Sequence, residues 1–225
     1  MSYEKWHFLW STFTFADKGS RIIVTTRSEN VASIVKTGEV TYQLRQLPEA
    51  DCWKIFSEHA FSGDLDADPR LQQVGKKIVK KCGGLPLALR SMGALLRFER
   101  DPSKWDSILR SHVWELRETQ RNNILPSLWL SYHYLPSCLK HCFAYCSVFL
   151  KDFEIQKEEL ILLWMAEGFL QSVEEEKRME DVGEEYIKDL ISRSLVQRSR
   201  YDESTVKMHD LVHDLALFVS DIVVV

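Results

Sequence analysis

His209-Asp210-Leu211-Val212-His213 places two imidazoles one helical turn apart with a carboxylate beside the first. Zinc hydrolases hold their metal and activate water with such a pattern. Here the acid is Asp210, a methylene shorter than the glutamate that chemistry uses, and no third ligand follows at a workable spacing. The pattern therefore points to structural or regulatory histidines. Cys138, Cys142 and Cys146, with His141 beside the middle one, form a second group. A tetrahedral knuckle takes two to four residues between paired ligands on a turn and a second pair elsewhere. On one helix these sulfurs would repeat every ~6 Å on the side of Leu139 and Phe143, which is the place of buried core thiols. Lys76, Lys77, Lys80 and Lys81 could hold phosphates, but Val74, Ile78 and Cys82 occupy the other side of the same helix, so the lysines read as its solvated face. Arg27 ends an apolar run at the position where open α/β sheets bind ligands. No G-x-x-x-x-G-K-[ST] occurs, and no apolar strand ends in paired acids for magnesium, so phosphoryl transfer lacks its cradle.

The composition bounds what surrounds these groups. Apolar residues are 45% and charged residues 28% of 225, ordinary proportions for a folded chain of one large or two to three small domains. Net charge is -4, but residues 1–120 carry 18 basic and 15 acidic groups, while residues 121–225 carry 11 and 18, or -7. That asymmetry opposes nucleic-acid binding by the second half. Five cysteines, three at helical spacing, suit a reducing compartment rather than a secreted disulfide framework. No apolar run reaches the ~18 residues of a membrane span, and the N-terminus lacks a secretory signal. The expected location is cytoplasmic.

The elements that must position these residues change period along the chain. Residues 19–27, GSRIIVTTR, read as a buried parallel strand, followed by a short helix capped by Ser28 or Asn30 and stopped by Gly38. From Pro48 the period is helical. Helices are expected from Asp51, from Asp68-Pro69 to Gly83-Gly84, from Pro86, and around Trp105, Leu109 and Trp114, a bundle over 48–118. The polar TQRNN at 119–123 marks a boundary. Beyond it come helical patterns at 124–134, 137–148, 156–169 and 179–194, a hairpin from 195–199 and 205–208, and a last amphipathic helix. Helices followed by a small hairpin predict a winged helix-turn-helix, whose candidate recognition helix carries Glu184, Glu185 and Asp189 against Lys188 and Arg193 and so faces protein rather than DNA.

Five segments in this order resemble the NB-ARC family, the nucleotide-binding core of plant intracellular immune receptors with leucine-rich repeats. GSRIIVTTR resembles its strand with the sensor arginine, and YQLRQLPEADCWKIFSEHAF (42–61) its linker and first helical-subdomain helix. CGGLPLAL (82–89) is similar to its GLPL motif. CFAYCSVFLKDFEIQKEELILLWMAEGFL (142–170) resembles the winged-helix block of the coiled-coil-type receptors, and MHDLVHDLA (208–216) contains a Met-His-Asp motif. Leu150 stands where the family usually has proline.

The resemblance implies a fold that is mostly α with small β: a remnant of a parallel α/β nucleotide-binding domain at 1–47, a helical bundle subdomain at 48–118 and a winged-helix subdomain at 119–225. It implies an ADP-binding regulatory switch, not an enzyme, in plant defence. The alternative is a non-nucleotide-binding interaction or decoy fragment that docks on intact receptors. The expected cofactor is ADP or ATP, held weakly or only in a complete chain, with no metal held by this one. Arg27 would lie near the terminal phosphate, Gly84, Leu85, Pro86 and Leu87 would be cofactor-binding with Pro86 packed on the adenine, and His209 would reach the β-phosphate of ADP. Met208, His209 and Asp210 would be regulatory. Expected partners are other domains or chains of immune receptors in a homo- or hetero-oligomer, without DNA and without a membrane span. The family's phosphate loop and acidic strand precede such a segment, so the chain reads as a truncated receptor.

Overall fold

A β-branched run becomes a strand only where a neighbour completes its backbone hydrogen bonds. In the computed structural model, which describes residues 3–13, 15–17, 19–36, 41–62, 68–116, 124–171 and 177–223, residues 19–27 join no ladder. Ile22, Ile23 and Val24 are 42%, 89% and 44% exposed, so the expected buried strand is corrected to an exposed, irregular segment. No strand exists among the described residues of the first of two compact units, Met1–Arg45, to pair with it. That unit holds α1 (Tyr3–Phe13) and α2 (Glu29–Val35). Ser28 caps α2 by accepting the Val31 N–H at 3.4 Å. The expected stop at Gly38 and boundary at 119–123 lie outside the described residues.

The second unit, Gln46–Val225, opens with four helices: α3 (Glu49–Phe61), α4 (Pro69–Lys81), α5 (Pro86–Leu96) and α6 (Pro102–Leu109). Proline at the first helical position starts three of them, with Asp68 and Asp101 accepting cap hydrogen bonds from Arg70 and Ser103 at 2.8 Å. α3 begins two residues before Asp51, directly after Pro48. The helix expected around Trp105 and Trp114 is two elements, because Ser111 caps a separate 3-10 turn at His112–Glu115. The core is aromatic: Trp105 and Phe56 are fully buried, Phe61 stacks on Trp105 at 5.6 Å, and Phe56 meets Trp105 edge-on at 6.0 Å.

Next come α7 (Pro126–His133), α8 (Ser137–Tyr145) with a 3-10 turn at Cys146–Val148, α9 (Lys157–Ala166), α10 (Met179–Ser192) and α11 (Asp210–Val223). A three-stranded antiparallel sheet, ordered β1-β3-β2, is formed by β1 (Ile155–Gln156), β2 (Gln197–Arg198) and β3 (Thr205–Lys207). β2 and β3 are the expected hairpin. β1, paired through Ile155 with Val206, falls where the sequence reads as the start of a helix. A second core gathers Phe143, Trp164, Leu190, Val206, Met208 and Leu215.

α7 belongs to both cores. Leu128 and Tyr132 lie in the second, Leu130 lies in the first, and Trp129 packs against each. Where α7 meets α5 the contact is partly polar: the Ser91 and Ser131 hydroxyls are 2.6 Å apart, and Ser131 also donates to the Ser127 carbonyl at 3.0 Å.

Candidate functional site

Gly83 and Gly84 both take left-handed backbone, at φ 60° and 69°, which turns the chain out of α4 and into an extended Leu85. The Leu85 N–H closes the turn on the Cys82 carbonyl at 3.2 Å, and Pro86 starts α5. Leu85 is 40% exposed and Pro86 is exposed, whereas Leu87 turns inward against the second core and Ala88 and Leu89 are buried. The turn thus offers a rigid apolar edge of two residues, Leu85 and Pro86. Gly84 and Leu87 hold it in place.

His209 sits where β3 enters α11. Its carbonyl accepts the Val212 and His213 N–H groups at 2.8 and 2.9 Å, and its Nδ1 accepts the Leu211 N–H at 3.2 Å. The ring therefore caps the helix, and in the neutral form the proton must reside on Nε2, which faces outward on an exposed side chain. An open hollow of about 360 Å³ surrounds it, lined by Asp152, Gln197, Arg198, Arg200, Tyr201, Lys207, Met208 and Asp210. Cations gather there beside the positive end of the α11 dipole. The hairpin register that sets Lys207 opposite Gln197 assembles this wall. In the sequence, Arg198, Arg200 and Lys207 show only as charges of the wing, because nothing local ties them to His209. Asp152, at φ 61°, was missed altogether. Met208 is 5% exposed and belongs to the core, and half-buried Asp210 opens α11 with its negative charge at the favourable end.

The second histidine of the pair points elsewhere. His213 is 6% exposed and donates Nε2–H to the Phe149 carbonyl at 2.7 Å, which takes Nε2 out of play as a metal ligand. Among the described residues no cluster of three or more His, Cys, Asp or Glu could hold a metal. Cys142 and Cys146 are buried at 0% and 1%, and burial pushes the Cys146 thiol up to about 12 and that of Cys142 further. Both behave as core residues.

The lysines of α4 diverge. Lys76 lies 5.6 Å over the Trp53 ring, Lys81 lies 5.5 Å over Trp114, and Lys80 pairs with Glu49 at 3.6 Å. The acids of α10 are likewise spent locally, Glu185 on Lys177 at 2.7 Å and Asp189 on Arg193 at 2.9 Å.

Arg27 belongs to the first unit. It is exposed, and it sits at the centre of a turn in which Thr26 Oγ1 accepts the Ser28 N–H at 3.1 Å. No helix among the described residues is long and apolar enough to cross a membrane.

Comparison with known proteins agrees with this layout. Residues 1–66 match the family described as NB-ARC domain, and residues 148–216 match the disease resistance protein winged helix domain. The chain is 44% identical over 215 residues to the disease resistance protein RGA2 of Solanum bulbocastanum, covering 95% of this chain and 22% of that one. It is 37% identical over 218 residues to the disease resistance protein RPP13 of Arabidopsis thaliana, covering 95% and 26%. With the Arabidopsis thaliana disease resistance protein RPM1 it shares 33% identity over 210 residues, covering 90% and 23%. The chain thus spans about a quarter or less of the length of these relatives. With both domain matches in their expected order and similarity to plant disease resistance proteins along nearly its whole length, the chain carries the NB-ARC and disease resistance winged-helix domains.

Proposed function

We propose that this chain is the regulatory switch segment of a plant immune receptor, and that His209 is its ADP latch. The observation that carries the reading is the capping geometry of His209. Because Nδ1 is engaged by the Leu211 N–H, Nε2 is committed as a donor at a helix N-terminus, beside Arg198, Arg200 and Lys207. A diphosphate suits such a donor, and an added γ-phosphate would displace it. The exposed edge of Leu85 and Pro86 offers an apolar face for a base, held by Gly84 and Leu87, and Arg27 is a cation for a terminal phosphate. Met208 and Asp210 act as the frame of the latch, one in the core and one at the helix start. On this reading the nucleotide-binding remnant spans 1–47, the helical bundle 48–118 and the winged helix 119–225. The two cores, one mostly before residue 119 and one mostly after it, support the second of these boundaries. The protein works in the cytoplasm with other domains or chains of immune receptors and is a switch, not an enzyme.

Most phosphate affinity in such folds comes from loop amides, a loop lysine and magnesium, none of which this sequence supplies. ADP should therefore bind the 225-residue protein more weakly than roughly 100 µM. Calorimetry on this protein and on a longer chain carrying an upstream phosphate loop, each with and without His209→Ala, tests the assignment. Tight ADP binding by the short chain, or an unchanged ADP preference in the longer variant, refutes it. The interaction-fragment reading has one observation in its favour, the exposed Ile22, Ile23 and Val24, which offer apolar and backbone surface to an incoming strand.

A further inference from the structure

The turn that carries Leu85 and Pro86 is not free-standing. The Leu47 N–H donates to the Gly84 carbonyl at 3.2 Å, and the Leu47 carbonyl in turn accepts the Cys52 S–H at 3.4 Å. The Leu47 side chain packs on the bundle core, and Lys80, at the end of α4, pairs with Glu49, at the start of α3, across 3.6 Å. The backbone of Gln46 and Leu47 lies so close to the turn that a Cβ on Gly84 would fall 2.8 Å from the Gln46 Cβ, 3.2 Å from the Leu47 nitrogen and 3.3 Å from the Leu47 oxygen. Gly83, with the same left-handed backbone, would meet nothing within 4 Å.

We infer that Gly84 is a positioning residue, a clasp that locks the joining chain at Gln46–Leu47 onto the turn presenting Leu85 and Pro86. The left-handed φ alone does not explain the glycine, since Gly83 shares it. Close backbone approach does. The consequence is coupling: any ligand that bears on Leu85 and Pro86 and any force that redirects residues 46–47 act on one rigid turn, so each must alter the other's equilibrium. This inference rests on the nucleotide reading only for what touches Pro86, and the test below contains no nucleotide, so the two fail separately.

Cys52 reports the clasp. It is 3% exposed and its thiol hydrogen is held by Leu47. In the full chain under native conditions, iodoacetamide labelling read by peptide mass spectrometry should accelerate at Cys52 by at least about tenfold in Gly84→Ala and by under about twofold in Gly83→Ala, since both substitutions meet the left-handed strain but only the first meets the close contact. Adding Gln46→Gly to Gly84→Ala removes the nearest clashing atom and should return most of the protection. A general loss of stability would not respond to that second change. Equal acceleration in the two alanine variants, or no rescue by Gln46→Gly, overturns the inference. If Gly84→Ala does not fold, hydrogen exchange on the unaltered protein decides: the Leu47 amide should exchange as slowly as the hydrogen-bonded amides in the middle of α3, and rapid exchange at Leu47 overturns the clasp.

Discussion

Replacing His209 separates two jobs that one side chain holds. As a cap, Nδ1 satisfies the Leu211 N–H at 3.2 Å, one of the otherwise unpaired donors at the start of α11. As a latch, Nε2–H would meet a phosphate. His209→Ala removes both. Loss of a cap costs about 1 kcal/mol, and the exposed ring buries little else, so the melting temperature should fall by roughly 2–4 °C, the scale for domains of 150–250 residues. His209→Asn restores a side-chain acceptor at the best-tolerated capping position but is too short to take the place of Nε2. Its melting temperature should match the parent within about 1 °C. In a longer chain carrying the phosphate loop, the two variants should lose the same share of ADP preference, on the order of tenfold for one hydrogen bond to a charged oxygen. Thermal unfolding by circular dichroism and ADP calorimetry measure the two jobs independently. The reasoning is refuted if asparagine melts as low as alanine, which would deny the cap, or if asparagine retains ADP preference while alanine loses it, which would make the nucleotide effect a by-product of helix capping.

Gly183→Ala on α10 would set a methyl 2.6 Å from Ile161 Cγ2 and 2.8 Å from Cγ1, on a side chain only 3% exposed that has no room to withdraw. Overpacking of ~1–3 kcal/mol outweighs or cancels the ~1 kcal/mol gain in helix propensity, so a melting temperature above the parent's would contradict the packing described. At pH 8, alkylation of the folded protein should mark Cys138, which is only half-buried, well before Cys142 and Cys146, whose thiols burial holds far above their ordinary range. Prompt labelling of all three would argue against a packed helix. The Asp202 carboxylate accepts the Ser204 hydroxyl and N–H at 2.7 and 2.8 Å, and these bonds hold it below the usual carboxylate range. A depressed folded value stabilises above the unfolded value of ~4 and is lost as pH falls through the folded one. Acidification below about pH 4 should therefore loosen the β2–β3 turn, seen as faster amide exchange at Ser204, with unchanged exchange at pH 3 counting against it.

Sequence and structure agree best where a turn or cap is fixed by its own residues. Asp68-Pro69 and Gly83-Gly84 act within a few residues of themselves, so their cap and turn are readable without knowing any neighbour. The strand at 19–27 fails for the opposite reason: β-branched composition reports a preference, whereas a strand exists only with a partner, and composition does not report partners. β1, two residues long, is too short to show a period. The same division runs through the site. His209 and Pro86 stand out as motif residues, but the His209 cap and the hollow shared with Arg198 and Lys207 depend on hairpin register. The clasp of Leu47 on Gly84 spans 37 positions and leaves no local mark.

The hydroxyl pair of Ser91 and Ser131 sets what kind of motion the two cores could undergo. An apolar contact between α5 and α7 would tolerate small continuous slides, since one methyl group is much like another. A buried hydroxyl pair 2.6 Å apart does not, because Ser91 meets the Ser131 hydroxyl at one register only and an abandoned buried hydroxyl costs ~1–3 kcal/mol. Sliding α7 by less than a full turn would take Ser131 away from Ser91, while Ser131 keeps its bond to the Ser127 carbonyl within α7. The seam therefore behaves as a detent: the helices rest in one notch, and leaving it means a discrete jump to another fully bonded arrangement rather than a drift.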